Sequence, residues 1–209
     1  MTQKIYVTSD EHYNHTNILG YTKRGLKYPT VEEMNDGLVK EHNSVVKDED
    51  LVFHLGDYTF KDVGYAVSCL KQLNGTHCFI RGNHDKWLTD YDQNGLGALQ
   101  RAKDELKNQG SDPNKILWVK DYYEMKNKYG YFCMGHFPML TWHKSNRGSI
   151  MLHGHCHANI NYLNDNSVKR LDAGVDSAFE IKGNYKPFSL EEIVDLMKDR
   201  KTITIDHHE

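Results

Sequence analysis

Five apolar stretches of the chain run directly into polar residues able to hold a metal ion. They are Ile5-Tyr-Val-Thr-Ser into Asp10-Glu-His12, Leu51-Val-Phe-His-Leu-Gly into Asp57, and His77-Cys-Phe-Ile-Arg-Gly into Asn83-His84-Asp85. Two more follow, Tyr131-Phe-Cys-Met-Gly into His136 and Ile150-Met-Leu-His-Gly into His155-Cys-His157. Runs this short, β-branched or aromatic and closed by a turn residue, predict buried strands. Strands are predicted at 4–9, 51–55, 77–81, 116–119, 131–135 and 149–153. Between them the apolar spacing changes to that of helices. Thr30-Val-Glu-Glu33 fits a capping box, with Met34, Leu38, Val45 and Val46 behind it. Lys61–Leu73 predicts a second helix closed by Asn74-Gly75, and Ser189-Leu-Glu-Glu192 opens a third carrying Ile193, Leu196 and Met197.

Strand–helix alternation in the first half predicts parallel βαβ units. The closely spaced strands from about 116 to 175 predict a second, more antiparallel sheet. The expected fold class is α/β, two facing mixed sheets flanked by helices. The 209 residues are enough for one domain, 1–209, with an ample core. The polar stretch at about 86–115, with a helix expected over Leu96–Asn108, reads as a lid or insertion.

Charge and composition exclude more than they identify. A formal net charge of −3 gives no global basic field for nucleic acid or membrane, so phosphate affinity has to be local. The four cysteines, Cys69, Cys78, Cys133 and Cys156, lack a disulfide-framework spacing, and reduced thiols in a cytoplasm are expected. The first strand begins almost at once, so no signal peptide is expected, and no apolar run is long enough for a membrane span.

The residues that end the strands supply two carboxylates, one amide and four imidazoles, a donor set for two borderline divalent ions. Ligands of open α/β sheets gather beyond the carboxyl ends of strands. Glycine precedes four of the five sites (Gly56, Gly82, Gly135, Gly154), where sharp turns and close backbone approach are expected. Asp10 and His12, like His155 and His157, are two apart and would share a side of an extended chain. Taken singly, each of these residues reads far better as an ordinary turn, cap or loop residue; their order and number carry the reading.

Asp-x-His, Gly-Asp, Gly-Asn-His-Asp, Gly-His and Gly-His-x-His, in that order, resemble the calcineurin-like metallophosphoesterase superfamily. The segments Ser9–Ile18, Val31–Asn35, His136-Phe-Pro-Met with Trp142, and Tyr185–Ile193 resemble its small single-domain bacterial and phage members. The resemblance implies Asp10, His12 and His157 on one metal, Asn83, His136 and His155 on the other, and Asp57 bridging. It implies in-line attack by a metal-bridging hydroxide, with His84 as general acid. Two divalent ions, expected as Mn²⁺ with Fe, Zn or Ni as alternatives, would polarise the ester and acidify a bound water.

Around this set, Asp85 either orients His84 or caps the following helix. His15 is expected to touch substrate phosphate or leaving group. Arg81 and Arg24 are the candidate phosphate binders, because guanidinium pairs bidentately with phosphate oxygens. Tyr21 and Tyr28 beside Arg24 offer a face for a base. His54 and His153 read as core histidines. His42, His77, His207 and His208 read as surface or structural, and His143 as either cleft-lining or solvated. Cys156 is not expected to bind metal.

Phosphoprotein phosphatases of this fold follow Gly-Asp with an Asp-Arg pair, where Gly56-Asp57 is followed by Tyr-Thr-Phe-Lys. The expected activity is therefore on phosphodiesters or nucleotides, with short nucleic acid among the substrates. The alternatives are a phosphomonoesterase acting on a small metabolite, a silent scaffold, and a nucleic-acid binder of the same fold. No membrane and no obligate protein partner is expected.

Overall fold

A computed structural model describes residues 3–89, 96–159 and 167–203. In chain order the strands and helices begin with β1 (Ile5–Thr8), α1 (Ile18–Tyr21), α2 (Val31–Asn43), β2 (Leu51–His54), α3 (Val63–Leu70) and β3 (Thr76–Ile80). They continue with α4 (Leu96–Asn108), β4 (Ile116–Lys120), β5 (Tyr122–Asn127), β6 (Gly130–Gly135) and β7 (Ile150–His153). Last come β8 (Arg170–Asp172), α5 (Val175–Lys182), β9 (Phe188–Ser189) and α6 (Leu190–Met197).

Two mixed sheets face one another. The first has the order β4-β3-β2-β1-β9, with β4, β3, β2 and β1 parallel and β9 antiparallel on the edge. The second has the order β5-β6-β7-β8. It is less antiparallel than expected: only β5–β6 is a hairpin, while β6–β7 and β7–β8 are parallel. The run at 116–119 also leaves the second sheet, because β4 adds to β3 in parallel. The hydrophobic pattern shows why. Cys78 and Ile80 of β3 face the space between the sheets, while Phe79 between them faces the helices. A strand apolar on both sides belongs in the middle of a covered parallel sheet.

Val7, Phe53, Leu55 and Ile80 from one sheet meet Phe132, Met134, Ile150 and Leu152 from the other, and Ile193 and Met197 of α6 join them. On the outer face of the first sheet Phe79, Ile116 and Val119 pack against Met34 and Leu38 of α2, Ala66, Val67 and Leu70 of α3, and Ala102 and Leu106 of α4. The outer face of the second sheet carries Cys133 and Met151 under Trp142. Full burial of one such aliphatic or aromatic side chain contributes roughly 1.5–3 kcal/mol.

The helix ends follow their caps. Thr30 accepts from Glu33 N–H, Asp62 from Tyr65 N–H, and Ser189 with Glu192 closes a reciprocal capping box. The helix expected over Leu96–Asn108 forms over those residues. It lies in the outer layer, with Ala98, Ala102 and Leu106 fully buried, so this part of the expected lid or insertion is built into the packing. His207 and His208 lie outside the described residues.

Candidate metal centre

The residues singled out by motif converge beyond the carboxyl ends of β1, β2, β3, β6 and β7. Asp10, His12 and His157 bring one ligand atom each to within 4.8 Å of one another, and Asp57, His136 and His155 do the same. Asp57 lies between the groups. Its Oδ2 is 3.7 Å from His12 Nε2 on one side and 3.5 Å from His136 Nε2 on the other. Its Oδ1 is already held by the His84 backbone N–H at 2.8 Å. Asn83 joins the second group, with Oδ1 2.9 Å from His136 Nε2 and 3.1 Å from His155 Nδ1.

The candidate ligand residues turn the chain themselves. Asp10, His12, Asp57, His155 and His157 all have left-handed backbone, with φ of 57°, 51°, 56°, 71° and 47°. For a residue with a Cβ this conformation costs on the order of 1–2 kcal/mol, and such strain clusters at functional sites. The expectation that Asp10 and His12, like His155 and His157, share a side of an extended chain therefore fails in its geometry; Asp10 and His12 still reach one cluster, while His155 and His157 go to different ones. The glycines serve mainly for close approach. A Cβ at Gly154 would collide with Asp10 Oδ2 and Ser9 Oγ, and one at Gly82 with Asp57. The first two ligand loops are zipped together by Asp10 N–H to Gly56 O at 2.9 Å, His12 N–H to Asp57 O at 3.1 Å and Tyr13 N–H to Tyr58 O at 2.9 Å.

Burial and neighbouring charges set the protonation of the metal-free cluster. Burial, with Arg24 and His157 adding repulsion, pulls His12 down to about 2, so its imidazole is neutral and offers a lone pair. Both His12 ring nitrogens are buried without a hydrogen-bond partner. Burial and the nearby Asp172 and Asp57 hold the Asp10 carboxyl well above its ordinary value. Burial opposes ionisation of Asp57, yet His136 and the His84 N–H outweigh it and hold Asp57 at about 2. Burial pulls His136 down, but its contacts with Asp57 and the Leu55 carbonyl leave it raised. His136 Nδ1 lies 2.8 Å from Leu55 O. Donation there leaves Nε2 facing two acceptors, Asn83 Oδ1 at 2.9 Å and Asp57 Oδ2 at 3.5 Å. In the metal-free protein a proton on Nε2 is shared with these acceptors, and a divalent ion can replace it among the same donors.

Behind the ligands lie residues the sequence reading missed or misassigned. His157 Nδ1 is 2.7 Å from Asp176 Oδ2, the carboxylate–imidazole arrangement that orients metal-binding histidines. Arg24 grips the same carboxylate from Nε at 2.9 Å and Nη2 at 2.7 Å, and donates to the carbonyls of Asp10 at 2.6 Å and Glu11 at 2.7 Å. Its side chain is fully buried. Arg24 is thus corrected from phosphate binder to internal clamp, and Tyr28 beside it is buried too, so it presents no open face for a base. Glu11 accepts from the buried His54, which pairs onward with His77. Asp172 receives Ala158 N–H and Gly174 N–H. No strong apolar run surrounds Asp172 or Asp176, and Asp172 ends a three-residue strand, so no pattern marked them.

Asp85 is also reassigned. Its buried carboxylate receives the backbone N–H groups of Asp57, Tyr58 and Gly82 and the Trp87 indole. It neither orients the His84 ring nor caps a helix through its side chain; it staples the 57 loop to the 82 loop. Arg81 turns its fork to Asp121, two bonds of 2.7 Å, where a substrate contact had been expected.

His84 stands beside the first group, its ring 5.9 Å from that of His12 and 4.2 Å from that of Phe60, and its backbone N–H holds Asp57. His15 packs on Phe60 at 4.3 Å and lies 5.3 Å from His12. Burial, followed by repulsion from His84 and Arg24, lowers His15 from its ordinary value. Phe137 lies against His155 at 4.6 Å on the other flank. His143 pairs with Glu124 at 2.7 Å. The Cys156 thiol is pushed up to about 11 by burial and by Asp172 and Asp10, and so stays protonated.

Comparison with known proteins shows the family. A family model for calcineurin-like phosphoesterases matches residues 3–208. The chain is 33% identical over 204 residues to an uncharacterized protein, MJ1445, of Methanocaldococcus jannaschii, covering 96% of this chain and 95% of the relative. It superposes on the crystal structure of a protein of unknown function, AQ665, from Aquifex aeolicus, with a TM-score of 0.61 and 23% identity. That match covers 93% of this chain and all of the other, and at such identity it speaks for the fold.

Proposed function

The chain belongs to the calcineurin-like phosphoesterase family, and from that premise we propose that it is a dinuclear metal phosphoesterase acting on phosphodiesters or nucleotides. One domain, 1–209, would carry the activity. The position of Asp57 Oδ2, 3.7 Å and 3.5 Å from an imidazole nitrogen of each group, supports the reading most directly. One carboxylate oxygen is in reach of both groups, and its sister oxygen is occupied by a backbone N–H. Asp10, His12 and His157 would hold one ion, Asn83, His136 and His155 the second, with Asp57 shared.

Two divalent ions, Mn²⁺ foremost, would supply Lewis acidity toward the phosphoryl oxygens and lower the pKa of coordinated water. The protein's own contribution is placement and proton delivery. The zipped 10–13 and 56–58 loops and the Asp85 staple hold the donors at fixed spacing, which limits reorganisation during reaction. His84 belongs to neither ligand group and lies at their edge, where it can give a proton to the departing oxygen. General acid catalysis of this kind is typically worth ~10²–10⁴-fold.

The preference for diesters rests on where the two candidate arginines point. Arg24 is buried and Arg81 faces Asp121, so neither arginine clamps the second charge of a monoester dianion. A diester carries one negative charge and needs fewer clamps. With Mn²⁺-replete protein, kcat/KM for a diester should equal or exceed that for a monoester bearing the same leaving group. A monoester preference of more than about a hundredfold, roughly 2.7 kcal/mol, would leave a phosphomonoesterase instead. Phosphoproteins should be poor substrates.

A further inference from the structure

A cleft of about 380 Å³ has Phe60 in its lining, a residue that also touches the candidate metal centre. Its volume falls in the roughly 300–1,000 Å³ range of small-molecule sites. Lys61, Lys86 and Arg101 line it beyond Phe60, with Asp62 the one acidic group among the described residues of its lining. The lysines and the arginine are all solvent-exposed. Asp62 has its carboxylate engaged as the cap of α3, 2.9 Å from Tyr65 N–H. The cleft is therefore locally cationic on a chain whose formal net charge is −3.

Phe60 joins this cleft to the chemistry. Its ring is 4.2 Å from that of His84 and 5.3 Å from that of His12, and it is 37% exposed. Two anion-attracting places are thus separated by a partly exposed apolar ring. Inorganic polyphosphate gains nothing from such a ring, whereas a molecule with an organic spacer between two phosphates can use all three features. Guanidinium and ammonium groups bind phosphate oxygens by charge-assisted hydrogen bonds.

Building on the phosphoesterase reading, we propose that this cleft receives the second phosphate of a nucleotide whose first phosphate lies at the metal centre, with the nucleoside against Phe60. The substrate class is then a nucleotide bearing an additional phosphate on the leaving-group side. The leaving oxygen would emerge between His84 and Phe60, on the side where the cleft begins.

The test compares binding of adenosine 3′,5′-bisphosphate and adenosine 5′-monophosphate by calorimetry. It uses Mn²⁺-loaded protein carrying His84→Ala, so that turnover is suppressed. The bisphosphate should bind at least about tenfold more tightly, the gain expected of one charge-assisted anion contact. Adding Lys61→Ala with Lys86→Ala should abolish that ratio. Lys126→Ala with Lys128→Ala, an exposed pair outside the cleft, should preserve it. Raising salt should shrink the ratio, because the cations are exposed. Equal affinities for the two nucleotides, or a ratio that survives in the Lys61/Lys86 variant, overturns the cleft assignment and leaves the phosphoesterase reading standing. That reading falls separately, if the wild-type protein hydrolyses no phosphate ester with Mn²⁺.

Discussion

Arg24 and Asp176 form a two-pronged ion pair inside the protein, Nε to Oδ1 at 2.9 Å and Nη2 to Oδ2 at 2.7 Å. The pair joins residues 152 positions apart and sits directly behind His157. The same guanidinium holds the Asp10 and Glu11 carbonyls, so a single side chain sets the relative position of two ligand loops. Burial opposes ionisation of Asp176, but Arg24 and His157 hold its carboxyl well below the usual range.

Removing one partner of a buried pair strands the other charge, which typically costs 3–5 kcal/mol. Arg24→Met should destabilise the fold by about that much in denaturant melts. Asp176→Asn should fold better than Arg24→Met, yet weaken metal binding by about 10–100-fold, the usual effect of losing an orienting carboxylate. Calorimetric metal titration checks the second outcome. Unchanged metal affinity in Asp176→Asn would reduce this pair to a structural tie.

His84→Ala should retain both metals and the fold, since the imidazole stands outside both ligand groups. Its rate loss should be large for esters with poor leaving groups and small for nitrophenyl esters, which need little protonation. Parallel kcat measurements on the two ester types distinguish the roles. An equal loss would remove His84 from proton delivery, and loss of metal would make it a ligand.

Acidity should act on the metal-free and metal-loaded protein with opposite sign. In the metal-free state His136 is raised above its ordinary 6.5 by Asp57 and the Leu55 carbonyl. Its stabilising contribution is then complete below pH 6.5 and is lost as pH rises through the raised value. Ions compete with that proton, so metal affinity should increase over the same window. Thermal melts with and without Mn²⁺ at stepped pH should show the metal-induced increase in Tm growing above pH 6.5. A gain independent of pH would contradict the assignment of His136 as a ligand.

The central strands, and the residues that gather into the two candidate clusters, were legible because each lies at the junction of an apolar run and a polar motif. β1, β2, β3, β6 and β7 form within a residue or two of the runs that predicted them. β5, with its mixed residues, and the short β8 and β9 carry no such run and emerged only through pairing. The supporting residues were hidden for a related reason. Arg24 looks like a surface cation beside Lys23 and Lys27, and only the fold buries it against a carboxylate far along the chain. Asp85 looked like a partner of His84 because they are adjacent, whereas its carboxylate is taken by backbone N–H groups of two loops. Local sequence announces the donors; which groups lock them depends on long-range packing.

The account stands or falls on two ions sharing Asp57. The most direct measurement is elemental analysis of metal-replete protein, wild type beside Asp57→Asn and His157→Ala, with hydrolysis assayed on the same samples. Wild type should carry two ions per chain, Asp57→Asn should lose affinity at both sites together with activity, and His157→Ala should lose mainly one ion. One ion or none in the wild type, with Asp57→Asn turning over normally, would contradict the dinuclear centre.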